Sequence, residues 1–158
     1  MQKPMAKYTL KVPVDQDDTA VFAIHSEWPD YELIFFLNRE LRLQLKRQKE
    51  DLEFGQGYLF PWFAFDHHKH FSRYTLIQNT LKTGVNRQAE LDLFADNRFE
   101  EIYHVLPEYK RIDYLLKVEG ESEEHLALIL EKLKQLDQIV MVYALNSHQI
   151  KSKTNLIY

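Results

Sequence analysis

The last third of the chain shows the clearest alternation of apolar and polar positions. One set of aliphatic and aromatic residues recurs at a period of two, which predicts a strand: Ile112, Tyr114, Leu116 and Val118. Gly120 ends this strand, and Ser122 is a favourable N-cap for a following helix. The next apolar residues follow helical spacing: Leu126, Ile129, Leu130, Leu133 and Leu136. The run IVMVYAL then predicts another strand, so this third is predicted to be β-α-β.

The first third is also predicted to be β-α-β. KYTLKVPV alternates as a first strand that Pro13 closes. A helix from about 27 to about 39 follows, with Ser26 as its N-cap and Pro29 in its first turn. This helix carries a wide apolar arc, with Tyr31, Ile34, Phe35, Asn38 and Leu41 on one face and Leu33 and Leu37 at its side. So wide an arc predicts burial on two sides. The alternating residues after the helix predict a half-buried strand: Leu41, Leu43 and Leu45.

The middle of the chain is predicted to be a hairpin followed by a long connection. DLEF is extended, and the glycines of GQG make a turn. YLFPWFAFD is apolar on both faces, and Pro61 within it indicates a sheet edge or a bulge. DHHKH turns the chain so that FSRYTLIQNTL returns as the second strand. Residues 82–103 are predicted to be a connection in which a short turn is docked by Leu91, Leu93 and Phe94.

These elements predict an α+β fold in one domain, residues 1–146. We expect a single mixed, mainly antiparallel sheet of about six strands with two main helices on one face, ferredoxin-like or a related α/β sandwich. Residues 147–158 form a polar C-terminal tail that is either loose or held only by its final apolar residues.

Composition narrows the class of protein. In 158 residues, 45% are hydrophobic and 13% aromatic, which is enough for a packed core. The net charge of −4 counts against nucleic acid as the main partner. The absence of cysteine excludes disulfides, thiolate metal sites and cysteine nucleophiles. The longest apolar runs are too short to cross a membrane. We therefore expect a cytoplasmic protein without a cofactor.

Two segments carry a resemblance to a known family. Residues 106–114, LPEYKRIDY, contain Pro107, Glu108, Asp113 and Tyr114 at the spacing of the IPExxxVDY motif, with Leu106 and Ile112 replacing the named aliphatic residues. DYELIFFLN resembles the helix of the same family through Asp30, Tyr31, Leu33, Leu37 and Asn38. Glu32 stands where the family has a basic residue. The resemblance implies no activity, because none is assigned to the family.

The acids of this motif have two interpretations. Asp113 lies on the strand face opposite Ile112 and Tyr114, and a half-buried carboxylate needs hydrogen bonds or a cation. It is expected to act as a structural latch, accepting backbone N–H groups from a loop or pairing with Arg39 or Arg42. The alternative is an enzyme in which Glu108 and Asp113 form an acid/base pair, although no nucleophile or phosphate loop accompanies them.

Two other clusters were weighed against simpler explanations. The group Asp66, His67, His68 and His70 has metal-ligand chemistry but lies at an expected hairpin tip, so no metal site is predicted. The aromatic residues between 58 and 74 resemble a stacking platform for single-stranded nucleic acid, but core packing explains them more simply.

The leading hypothesis is therefore a non-enzymatic binding or regulatory module that recognises a protein or a small ligand. Because the first helix is apolar over so much of its surface, a homodimer or a partner protein is expected to cover part of it. The alternative is that the 82–103 connection covers it through Leu91, Leu93, Phe94 and Phe99.

Overall fold

A computed structural model describes residues 18–55, 57–83 and 101–158. The helices of this part of the chain are α1 (Asp30–Leu41) and α2 (Glu123–Lys134). Its strands are β1 (Thr19–His25), β2 (Lys46–Arg47), β3 (Leu52–Phe54), β4 (Tyr58–Phe60), β5 (Trp62–His67), β6 (Ser72–Gln78), β7 (Thr80–Thr83), β8 (Glu101–His104), β9 (Tyr114–Glu119) and β10 (Met141–Leu145). Short 3₁₀ turns span Pro107–Tyr109, Ser147–Gln149 and Lys153–Leu156.

Six strands form the main sheet, in the order β10-β1-β9-β6-β5-β2. All five pairings in it are antiparallel. The central strand β9 pairs with β1 on one side and β6 on the other, so that Tyr114 lies opposite both Ile24 and Gln78. The prediction of an α+β fold with two helices and a mainly antiparallel six-stranded sheet is confirmed.

Both helices pack on one face of this sheet, as predicted. In α2, Ser122 accepts a hydrogen bond from the N–H of His125, which satisfies one of the free donors at the helix start. The predicted apolar stripe of α2 is buried, with Leu126 and Leu133 fully inaccessible. Burial of one leucine of this kind stabilises the fold by about 2 kcal/mol.

Helix α1 differs from its prediction in its start and in its buried face. It begins at Asp30, after Pro29, because the Ser26 hydroxyl instead accepts the N–H of Trp28 and donates to the carbonyl of Gln138. The buried residues of α1 are Leu33, Ile34 and Leu37. Tyr31 and Phe35, which belong to the predicted apolar arc, are 66% and 60% exposed. A helix lying on a flat sheet buries only one stripe, and the aliphatic residues occupy it.

The opposite face of the sheet carries a second apolar core under a layer of short strands. The β3–β4 and β7–β8 hairpins cover it together with the C-terminal segment. Ile150 and Leu156 of that segment are buried in this core. Buried Lys117 donates from Nζ to the backbone oxygens of Leu156 and Tyr158 at 3.2 and 3.3 Å. The tail is therefore neither loose nor held only by its final apolar residues, since hydrogen bonds hold it as well.

Four further expectations need correction or fall outside the described residues. Ile112 packs in the second core, not beside Tyr114, because β9 begins only at Tyr114 and the preceding residues turn. Leu43 and Leu45 are buried as predicted, but strand pairing is confined to Lys46–Arg47. The predicted first strand at KYTLKVPV and the docked turn at Leu91, Leu93 and Phe94 lie outside the described residues.

Candidate functional site

The motif segment, residues 106–114, is a tight turn that leads into the central strand. Leu106 is extended, as a residue before proline should be, and Pro107 occupies the first position of the 3₁₀ turn. The N–H groups of Tyr109 and Ile112 bond back to the carbonyls of Leu106 and Tyr109, both at 3.0 Å. The segment thus has its own backbone hydrogen bonds before it joins the sheet.

Asn79 holds this turn in place through hydrogen bonds, and its role was not predicted from the sequence. It lies between β6 and β7 and is fully buried. Its side-chain amide donates to the carbonyls of Tyr109 and Ile112 at 2.9 and 3.0 Å, and its side-chain oxygen accepts the N–H of Leu106 at 2.8 Å. Its backbone N–H donates to the carbonyl of Asp113 at 2.7 Å. The feature of the sequence that could have identified it is the polar side chain of Asn79 within the largely apolar run TLIQNTL.

Asp113 joins the start of β9 to the loop between β1 and α1. Its Oδ2 accepts the backbone N–H of Ser26 at 2.9 Å and lies 2.6 Å from Nδ1 of His25. His25 follows Ile24 on the neighbouring strand, directly across from Asp113. Of the bonding arrangements expected for Asp113, the structure shows the backbone N–H from a loop. The guanidinium of Arg39 pairs with Glu40 instead.

Glu108 bonds to a different part of the chain. Its carboxylate oxygens accept the N–H and the hydroxyl of Ser152 at 2.8 and 3.0 Å. Burial acts to raise the pKa of Glu108, but the hydrogen bonds from Ser152 and the backbone of Lys151 outweigh it and lower the pKa. Glu108 therefore holds the C-terminal segment, while Asp113 holds the β1–α1 loop. The structure does not bring the two acids together as a pair.

The remaining motif residues also have identifiable contacts. The Tyr114 hydroxyl donates to the carbonyl of Trp28 at 2.7 Å, and burial raises the pKa of this tyrosine. Asn38 clamps the chain after α1 through two hydrogen bonds with the backbone of Leu45. Asp30 accepts the N–H of Tyr31 in the first turn of α1, where Tyr31 itself is exposed.

A cleft of about 620 Å³ lies where these elements meet. The β1–α1 loop, the end of β6, the β7–β8 hairpin and the end of the motif segment line it. Its lining residues are Ser26, Glu27, Trp28, Pro29, Gln78, Thr80, Lys82, Ile102, His104, Lys110, Asp113 and Tyr114. A cavity of this volume falls within the usual range for small-ligand sites. Glu108 is not among its lining residues.

The β7–β8 hairpin supplies one wall of the cleft by strand alternation. Thr80 lies opposite His104, and Lys82 lies opposite Ile102. The residues between them, Leu81 and Tyr103, pack against the second core. Because side chains alternate across a strand, these four residues face the cleft together. Sequence analysis placed Thr80 and Leu81 at the end of the strand FSRYTLIQNTL and residues 82–103 in a long connection. It did not predict the pairing of β7 with β8, because that pairing joins segments far apart in the chain.

The charges of the cleft are divided between its walls. Lys82 and Lys110 lie on the hairpin side, and Glu27 and Asp113 lie on the side of the β1–α1 loop. Burial and the nearby charge of Lys110 lower the pKa of His104, which favours its neutral form. Nδ1 of His104 is 3.1 Å from the hydroxyl of Thr80. His104 thus offers a hydrogen-bonding ring and not a third positive charge at neutral pH.

The histidine-rich hairpin tip lies between β5 and β6, as predicted. The rings of His67 and His70 are 4.3 Å apart, edge to face. Within residues 18–55, 57–83 and 101–158, no group of three or more acidic or histidine side chains could hold a metal ion. The aromatic cluster is divided, with Phe60 and Tyr74 buried in different cores and Phe71 exposed at the tip.

Neither helix of the described chain is long and apolar enough to cross a membrane. Comparison of the chain with protein-family models, with curated proteins and with solved structures found no match.

Proposed function

We propose that this chain is a non-enzymatic binding module and that the cleft is its small-ligand site. The observation that carries the proposal is the pair of lysines on one wall. Lys82 and Lys110 line the cleft, and neither has an ion-pair partner among the described residues. Two ammonium groups near one concave surface attract an anionic group, which would supply the missing counter-charge.

The motif acids support binding over catalysis. Glu108 is occupied by Ser152, and Asp113 is occupied by Ser26 and His25. An acid/base pair must reach the same substrate, and these two carboxylates hold different segments. Their bonds instead fix the loop and the turn that form the cleft walls. A rigid frame of this kind lowers the entropic cost of binding a ligand.

We also propose membership of the IPExxxVDY family and a ferredoxin-like arrangement. The hydrogen-bonded unit formed by the motif segment supports the first. The order β10-β1-β9-β6, with both helices on one face, supports the second. The cysteine-free composition supports a cytoplasmic location.

Binding is tested by titrating the labelled protein with a mixed library of small anions, amines and zwitterions while recording backbone amide shifts. We expect shifts at Thr80, Ile102 and Lys110, and we expect Lys82→Ala with Lys110→Ala to abolish them. Lys46→Ala is the matched control, because Lys46 is exposed on the distant strand β2. Shifts confined to other surfaces, or unchanged in the double variant, would reject the cleft as the site.

We further propose that α1 mediates self-association. Its exposed rings, Tyr31 and Phe35, adjoin the partly exposed ring of Phe36, which stacks edge to face on Phe35. Glu32 precedes Phe35 by the same spacing at which Arg39 follows Phe36. In an antiparallel pair of α1 helices about a two-fold axis, Glu32 of each protomer would meet Arg39 of its partner. Such a self-complementary surface favours a second copy of this chain as the occupant.

A further inference from the structure

We infer that the ligand of the cleft is a small zwitterion of the free amino acid or short peptide class, with an anionic group at the lysine wall and an amine at the acidic wall. This inference rests on the proposed function. It is carried by the charges that line one cleft, with Lys82 and Lys110 on one wall and Glu27 and Asp113 on the other.

The backbone fixes the positions of the two lysines that form the cationic wall. Lys82 projects to the cleft side of the β7–β8 hairpin, because its neighbour Leu81 is packed in the core. Lys110 follows the 3₁₀ turn that Asn79 holds through the carbonyl of Tyr109. Both ammonium groups thus stand on anchored backbone, and a carboxylate or phosphate between them would receive charge-assisted hydrogen bonds.

The acidic wall is equally anchored. The two hydrogen bonds that fix Asp113 both go to Oδ2. Among the described residues, none donates a hydrogen bond to Oδ1 of Asp113. The Asp113 side chain is 40% exposed where it lines the cleft. Glu27 is exposed on the adjoining loop. A protonated primary amine carries three N–H donors and can bond to the carboxylates of Asp113 and Glu27 at once.

Each wall also carries apolar residues. Trp28 and Pro29 follow Glu27 in the β1–α1 loop, and Ile102, which is half exposed, lies opposite Lys82 in the β7–β8 pair. An anion alone would leave Glu27 and Oδ1 of Asp113 without a partner, and an amine alone would leave the lysines unpaired. A zwitterion satisfies both walls, and its side chain can contact these apolar residues.

The test uses the full chain and the free L-amino acids, each titrated by calorimetry. We expect at least one to bind. For every amino acid that binds, its N-acetyl derivative and its carboxamide are titrated as well. Each modification removes one charge, and we expect each to weaken binding at least tenfold. Equal binding of the N-acetyl derivative would make the cleft a simple anion site and overturn the inference.

Two variants test which charged group of the amino acid each wall binds. Lys110→Ala should weaken binding of the free amino acid but leave its carboxamide unaffected. Glu27→Gln should weaken the free amino acid but leave its N-acetyl derivative unaffected. Lys46→Ala and Glu53→Gln, both exposed and outside the cleft, serve as controls. Equal losses for charged and neutral ligands in either variant would overturn the assignment.

The outcome also separates this inference from the proposed function. If no amino acid binds but other small molecules shift the cleft amides, the ligand class is wrong and the binding module stands. If neither amino acids nor the mixed library reach the cleft, both fail.

Discussion

The side-chain oxygen of Asn79 accepts the N–H of Leu106 at 2.8 Å, while its amide nitrogen donates to two carbonyls further along the same turn. A fully buried amide is costly unless its donors and acceptor are paired, and here all of them are. One side chain thereby sets the position of the motif segment, including Lys110, which follows its 3₁₀ turn.

We predict that Asn79→Ala destabilises the fold by about 3 kcal/mol, since it leaves the buried N–H of Leu106 and the carbonyl of Ile112 without these partners and removes one of the two donors to the carbonyl of Tyr109. Asn79→Asp should also destabilise, because an ionised carboxylate cannot donate to the carbonyls of Tyr109 and Ile112. Urea unfolding followed by circular dichroism measures both. Gln44→Ala, at an exposed position, is the control. A variant within about 0.5 kcal/mol of the parent would show that the turn does not depend on this residue.

For Asp113, we predict a loss of about 1–3 kcal/mol in Asp113→Ala, because the N–H of Ser26 loses its acceptor. Asp113→Asn should lose less, since an amide oxygen still accepts that bond. A double-mutant cycle with His25→Ala measures how much of the effect comes from the ring 2.6 Å away. If Asp113→Ala leaves the unfolding midpoint unchanged, the latch interpretation is wrong and a ligand-binding role for Asp113 gains weight.

The elements that could be predicted from sequence are those with one wet face. Helix α2 has a clear helical pattern of apolar residues, because water covers one side of it, and the N-cap Ser122 marks its start. Strand β1 was missed, because AVFAI is covered on both faces of the sheet and shows no alternation. The sheet-facing side of α1 could not be read from its wide apolar arc, because the arc mixes aromatic residues with the aliphatic ones that occupy the sheet side.

The site was predictable only in part for a related reason. The need of Asp113 for hydrogen bonds could be predicted, because an acid beside a buried strand must be bonded. Its partner His25 is 88 positions away, and the pairing of β1 with β9 brings them together. The cleft depends on β7 meeting β8 across a long insertion, which no local pattern encodes.

The stability of the protein should depend on pH through Glu108. Its folded pKa lies below its ordinary value of 4.5, so the unfolded chain takes up a proton first as the pH falls. The stabilisation is present above pH 4.5 and is lost as the pH falls through the folded pKa. Glu108→Gln should therefore be less stable than the parent at about pH 7, and the difference should shrink towards about pH 3. Urea midpoints at both values test this, with Glu53→Gln as control; a difference independent of pH would contradict it.

At the hairpin tip we predict no tight zinc site at neutral pH. The rings of His67 and His70 contact each other edge to face, and the described chain offers no third ligand with them. Titration calorimetry with zinc should show no binding of micromolar or better affinity. Such a site, abolished in the variant that combines His68→Ala and His70→Ala, would prove this prediction wrong.

Self-association through α1 is tested at its exposed residues. Leu37 is fully buried, so its substitution would unfold the protein and say nothing about a dimer. Tyr31→Ser with Phe35→Ser removes only exposed rings, and we expect a shift from dimer to a 19.0 kDa monomer in sedimentation at micromolar concentration, with the melting temperature of the monomer little changed.

The proposed antiparallel geometry can be tested more specifically at two charged residues, Glu32 and Arg39. Glu32→Arg and Arg39→Glu should each weaken the dimer, because each places like charges opposite one another across the two-fold axis. The variant that carries both changes restores opposite charges at both ends of the interface and should recover most of the association. Glu131→Lys on the exposed face of α2 is the control and should leave the mass unchanged. If the parent protein is monomeric at these concentrations, the proposed dimer is wrong. If the parent is a dimer and none of the three charge variants weakens it, its interface lies away from α1.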